Sequence, residues 1–150
     1  MKRDKAVIGV GNILMGDDGV GVYVARRLME KGFSCADVYD GGTLGLELVF
    51  TAYSYDKVVF IDAVKLGGEP GSIYRFEFEG CVEESVKRGV SMHSLSLIDA
   101  LDLALKTGFL GSKIVFIGVE PEHVGFGMGL SEKVEKSIPR VIDAVCREVC

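Results

Sequence analysis

Short apolar strands alternate with amphipathic helices along this whole chain. That alternation restricts it to a largely parallel sheet with helices on both faces. Residues 6–10 read as a buried strand, 36–39 as a second, and 57–61 as the clearest central one. Residues 72–78 alternate, with Tyr74, Phe76 and Phe78 on one side and Arg75 and Glu77 on the other. That period of two fits a half-exposed, antiparallel strand. Residues 113–119 supply a fifth strand. Helical periodicity fills the gaps at about 17–31, 44–52, 95–106 and from Ser131 onward. Val20, Val24 and Leu28 mark one face of the first helix, Ser94 is a candidate N-cap of the third, and Ser131 can cap the last. Gly32 and Gly108 are placed to stop two helices. Pro139 falls inside the last helix and should kink or split it. The expectation is a three-layer α/β/α fold, one domain over residues 1–150, with a twisted sheet of about five strands.

Charge and composition exclude several roles. The net charge of −5 argues against a nucleic-acid binder, which carries a basic face. No apolar run approaches the ~20 residues of a membrane span. The N-terminal residues Lys2, Arg3, Asp4 and Lys5 leave too little apolar length for a secretory signal. A cytoplasmic monomer is expected. Cys35, Cys81, Cys146 and Cys150 form no CxxC pair and read as free thiols of a reducing compartment. The 20 glycines, nearly twice the usual ~7% share, gather after the strands, where turns and close backbone approach need them.

In such a sheet, sites form beyond the carboxyl ends of the strands. The first strand there runs into Gly9-Val-Gly11-Asn12-Ile-Leu-Met-Gly16-Asp17-Asp18-Gly19-Val-Gly21. The second ends in Asp40-Gly41-Gly42-Thr43 and the third in Asp62, and His93 stands before the next main helix. One reading is a dinucleotide site, since Gly9-x-Gly11 follows a strand and Asp40 closes the second. Leu14 stands where the third glycine belongs, and Asp17 and Asp18 would repel a pyrophosphate. The other reading is a cation site, because converging carboxylates need a counter-charge. Two carboxylates and one imidazole suit a borderline transition metal. Asp17 and Asp18 as plain first-turn acids, and His93 as a buried hydrogen-bonded histidine, remain alternatives.

The opening block of residues 9–21 resembles the signature of the NiFe-hydrogenase maturation endopeptidases. Asp40-Gly-Gly-Thr43, Ile61-Asp62-Ala63, Ser91-Met-His93-Ser-Leu95 and Gly118-Val-Glu-Pro121 match later blocks of that family in order. The likeness covers about residues 6–145. It implies a twisted, mostly parallel sheet and an endopeptidase that trims a C-terminal extension from the nickel-loaded large-subunit precursor of a NiFe hydrogenase. It implies Asp18, Asp62 and His93 as metal-contacting residues, with Asp18 where many relatives carry the longer Glu. It makes Asp40 an acid implicated in activity, a candidate to orient or deprotonate the attacking water. Asp17 is expected at the helix terminus, behind the ligands. His123 matches no family site and reads as an exposed loop histidine. The nickel is expected to arrive with the precursor, with no organic cofactor. A module that checks for nickel without cutting, and a Rossmann-like nucleotide binder, are the alternatives.

Overall fold

The computed structural model describes residues 3–78 and 82–150. Strands β1 (Arg3–Val10), β2 (Asp37–Gly42), β3 (Tyr55–Ala63), β4 (Ile73–Phe78) and β5 (Lys113–Val119) form one sheet in the order β2-β1-β3-β5-β4. Every pairing is parallel except β4 against β5, as the period-two pattern of residues 72–78 predicts. From β1 the chain moves to one side to make β2, then crosses to the other to make β3. The crevice beyond β1 and β3 is therefore the switch point where ligands bind in such sheets.

Side chains that alternate along the strands feed two cores. Ala6, Ile8, Val10, Val58 and Phe60 pack under α2 (Glu47–Tyr53) and α4 (Met92–Lys106). Val7, Val59, Ile61 and Val115 pack under α1 (Val20–Glu30) and α5 (Glu132–Val149). These are the three layers that the sequence predicts.

The details differ in five places. The first helix does not open at Asp17: residues Gly16–Gly19 form a 3-10 turn, because the next turn must close on the sheet through glycines. A short helix α3 (Glu84–Gly89) lies where no helix is expected; its single buried residue, Val86, is too little apolar signal to show a period. Helix α4 starts at Met92, and its N-cap is Ser91, not Ser94: the Ser94 N–H donates to the Ser91 hydroxyl. Helix α5 runs unbroken through Pro139, since the buried stripe Val134, Ile138, Val141 and Val145 outweighs one lost backbone bond. Finally, Cys35 and Cys150 are not free thiols. They form a disulfide, with Cα atoms 5.3 Å apart, that ties the end of α5 to the loop before β2. Cys146 is free, and Cys81 lies outside the described residues. Among the described residues no helix is long and apolar enough to cross a membrane.

The same helix end is tied to the sheet by charge. Glu148 accepts from Lys57 Nζ at 3.1 Å and from Arg75 Nε at 2.7 Å. The Arg75 guanidinium, working against burial and with help from Lys57, holds the Glu148 carboxyl down at about 2. An acid with a lowered pKa stabilises the fold above its ordinary value of 4.5 and loses that contribution as the pH falls towards 2. Glu148→Gln is expected to cost about 1 kcal/mol at neutral pH, a modest figure because Arg75 is partly exposed and screened. Thermal melting of both proteins should show the gap closing between about pH 4.5 and 2.

Candidate active site

Glycines set the site by letting β1, the 3-10 turn and α1 close on β3. A Cβ on Gly9 would lie 2.0 Å from the Gly21 carbonyl oxygen, and one on Gly21 would lie 2.0 Å from that of Ile61. Gly11, with φ near +143°, has the Asp18 carbonyl 2.0 Å from where its Cβ would sit. The glycine pair is thus used for packing. The N–H groups of Gly11, Asn12, Leu14, Met15, Gly16, Asp17 and Asp18 all have acceptors within the protein. Few are left for a phosphate, and the acids beside them would repel one. The structure gives the nucleotide reading no support.

Asp18 and Asp62 both lie at the switch point, near enough for the charge of one to act on the other. Asp18 is nearly buried; its Oδ2 accepts from the Asn12 N–H at 2.9 Å and lies 3.2 Å from His93 Nε2. His93 sits in the first turn of α4, with its ring about one-fifth exposed. Its Nδ1 lies 3.3 Å from the Ser94 hydroxyl. The hydrogen bond to Asp18 raises the His93 pKa, against burial, and the charges of Asp18 and Asp62 add to the rise. The ring therefore carries a proton more readily than a free imidazole.

Asp62 is the unusual group. It lies wholly buried near the end of β3, and its Oδ1 accepts the Ala63 N–H at 2.8 Å. Its Oδ2 is buried and makes no close hydrogen bond among the described residues, although the Ser94 hydroxyl lies near the carboxyl. Burial pushes the carboxyl up to about 7; the Ser94 hydroxyl, His93 and the Ala63 N–H oppose that, and the charge of Asp18 adds to it. A buried, unpaired carboxylate oxygen is costly unless something positive is brought to it. The donor set of Asp62, Asp18 and His93 therefore fits a borderline divalent cation. As folded, no group of three or more His, Cys, Asp or Glu side chains among the described residues converges closely enough to hold a metal ion. The three would have to draw together, or share the ion with donors from elsewhere.

Asp40 makes its contacts apart from that group. Its Oδ2 pairs with Arg26 Nε at 3.0 Å and its Oδ1 accepts the Gly42 N–H. A register shift opposite Gly41 bends this strand end. Asp40 and Arg26 then line a cavity of about 300 Å³ with Gly11, Asn12 and Thr43. Asp18 opens instead onto a cavity of about 220 Å³, with Ala63, Lys65, Arg88, Ser91 and Val124.

Two acids hold loops. Asp17, wholly buried, accepts the N–H groups of Glu122, His123 and Ser131 and the Ser131 hydroxyl. Burial raises its pKa, but those bonds outweigh it and the net shift is downward. Asp17 thus stands behind Asp18, pinning the 121–131 loop, as a supporting role requires. This also explains Ser131, which marks the start of α5 with its hydroxyl turned to Asp17. His123 is exposed, as the sequence suggests. Glu120, buried, holds the Leu66 and Gly68 N–H groups and the Tyr74 hydroxyl. Sequence reading left its role open; the signal available was an acid directly after a buried strand, where it cannot face solvent.

A family model described as hydrogenase maturation protease (HycI) matches residues 22–148. The chain is 32% identical over 142 residues to the hydrogenase 2 maturation protease of Escherichia coli (strain K12), covering 93% of this chain and 86% of that one. It is 30% identical over 145 residues to a hydrogenase expression/formation protein HupD of Rhizobium leguminosarum, covering 94% and 71%. The fold superposes on the hydrogenase maturating endopeptidase HybD from E. coli with a TM-score of 0.79 and 29% identity, over 95% of this chain and 90% of that one. A [NiFe] hydrogenase maturation protease HybD from Thermococcus kodakarensis gives a TM-score of 0.78 at 27% identity, over 99% and 100%.

Proposed function

The chain belongs to the hydrogenase maturation protease family and is a peptidase, and from that premise we propose that it removes a C-terminal extension from the nickel-loaded large-subunit precursor of a NiFe hydrogenase. Asp18, Asp62 and His93 are the residues that would read the nickel, which belongs to the substrate. The observation that carries this reading is the buried Asp62 Oδ2, without a partner, beside the Asp18–His93 pair. A cation brought by the precursor would relieve that burial cost and replace the proton shared between Asp18 and His93. An empty precursor offers no such gain, so its scissile segment would dock poorly. Relieving strain on binding in this way gives selectivity for the loaded form.

Hydrolysis needs a water in line with the scissile carbonyl. Among the described residues no serine or cysteine stands with a base and an orienting acid in the manner of a nucleophilic triad. The Ser94 hydroxyl touches His93 Nδ1, but the two are neighbours on one helix and Ser94 is wholly buried. Asp40, exposed near the end of β2 and lining the neighbouring cavity, is the acid we assign to the attacking water. Because Arg26 already holds its Oδ2, its role is to orient the water rather than to take its proton. Gly42, with φ near +52° and only the Asp40 carboxylate within 4 Å of an added Cβ, leaves room for the substrate backbone to come close, whereas Gly41 is buried against Ile8 and Leu48. Asp40→Asn is expected to slow cleavage about tenfold with the acid limb of the pH–rate profile unmoved. Disappearance of that limb would make Asp40 the base instead.

The proposal is tested by incubating the protein with a nickel-loaded precursor and following its intact mass. Loss of a C-terminal peptide is the expected result. A stable complex with unchanged mass would mean that the protein checks for nickel without cutting.

A further inference from the structure

We propose that Lys65 and Arg88 form an anchoring subsite beside Asp18 for a carboxylate of the polypeptide being cut. The inference rests on the peptidase reading above and adds to it the charge of a group near the cut bond. Lys65 follows β3, and Arg88 lies in the last turn of α3. The Lys65 N–H donates to the Gly89 carbonyl at 2.8 Å, which stitches the two segments together. A Cβ on Gly89 would lie 2.4 Å from the Lys65 carbonyl oxygen, so the close approach depends on glycine there. The junction brings both cations into the lining of the cavity of about 220 Å³ that also holds Asp18.

The charges there are uneven. Lys87, the other base of that helix turn, pairs with Asp99 at 3.8 Å. Lys65 and Arg88 are exposed and have no ion-pair partner among the described residues. In a chain of net charge −5, this places two uncommitted positive groups within one cavity of the candidate site. Apart from Asp18 and Ser91, the rest of the lining is small and apolar, with Ala63, Val90 and Val124. A carboxylate on a short aliphatic stem, or at a chain end, matches both features. Long, mobile, exposed side chains suit the anchoring of a charge already present in the substrate. Stabilising the charge that develops during hydrolysis needs donors held rigidly in place.

The test compares wild type with the Lys65→Gln/Arg88→Gln double variant on a nickel-loaded precursor, reading both cleavage and binding. Both side chains are exposed, and melting curves would show that the variant folds. The expected result is a KM, and a Kd, raised about five- to tenfold at low salt with kcat unchanged, shrinking as salt is added. Each Asp or Glu near the cut in the precursor is then changed to its amide. One such change should reproduce the loss in wild type and add nothing in the double variant. If none does, and the cleaved subunit or released peptide competes better against wild type than against the variant, the carboxylate is one at a chain end. Unchanged KM and Kd in the double variant overturn the subsite. A lower kcat at unchanged KM also overturns it, because the cations would then face the oxyanion of the reaction. Charge-dependent binding without cleavage by wild type would sink the proposed cleavage of this precursor and keep the subsite. Cleavage with charge-independent binding would sink the subsite alone, and no binding at all would sink both.

Discussion

Asp62→Asn is expected to slow cleavage of a nickel-loaded precursor about 100-fold or more, without lowering the melting temperature. The two halves of this expectation have one cause. Asp62 is a buried carboxylate with one oxygen unpaired and with the charge of Asp18 nearby. Its anionic form is costly to the folded protein, and asparagine, nearly the same shape, removes that cost. The substitution also removes the anionic donor that a cation would meet. A residue kept only for structure would show the reverse pattern, with stability falling and activity following it. Steady-state cleavage beside thermal melting separates the two. Near-wild-type activity of the asparagine variant would remove Asp62 from the site.

Gly21→Ala should cost about 3 kcal/mol or more, and the variant is expected to fold poorly. The added carbon would sit 2.0 Å from the Ile61 carbonyl oxygen and 2.5 Å from that of Val10. Those are backbone atoms of two central strands, so neither can swing aside. Any relaxation would move α1 off the sheet and shift the strand end that carries Asp62. Gly32→Ala is the control. Gly32 has φ near +68° and nothing within 4 Å of an added Cβ. It should therefore lose only the roughly 1 kcal/mol of a left-handed backbone strain. Denaturant unfolding of both variants measures the contrast. Equal losses would mean that the glycines serve turn geometry, not close packing.

The fold was legible because strands β1, β3 and β5 are continuous apolar runs, and a run of that kind belongs in the middle of a parallel sheet. The antiparallel edge was legible from the alternation of Tyr74 to Phe78. What stayed hidden depends on distant partners. Ser94 looks like a cap, but Ser91 is better placed once the helix starts a turn earlier. Cys35 and Cys150 are 115 residues apart, and nothing local to either announces the other.

The site divides in the same way. Asp18, Asp62 and His93 lie at the ends or starts of elements, so the sheet topology alone brings them to one edge. Their contact of 3.2 Å between His93 and Asp18 follows from that topology. Asp40 ends a neighbouring strand, and the order of strands predicts a place near the others. A bulge and an ion pair with Arg26 give it contacts of its own instead, and neither has a sequence signature. The role of Asp17 was legible as supporting, but its four acceptor bonds to a loop over 100 residues away were not.

The account turns on the nickel being read by Asp18, Asp62 and His93. Its most direct test is the intact mass of one precursor, prepared nickel-loaded and nickel-free, after exposure to wild type and to His93→Ala. The prediction is that only wild type with the loaded form gives the shortened subunit. Equal cleavage of loaded and empty precursor, or full cleavage by the His93 variant, would contradict it.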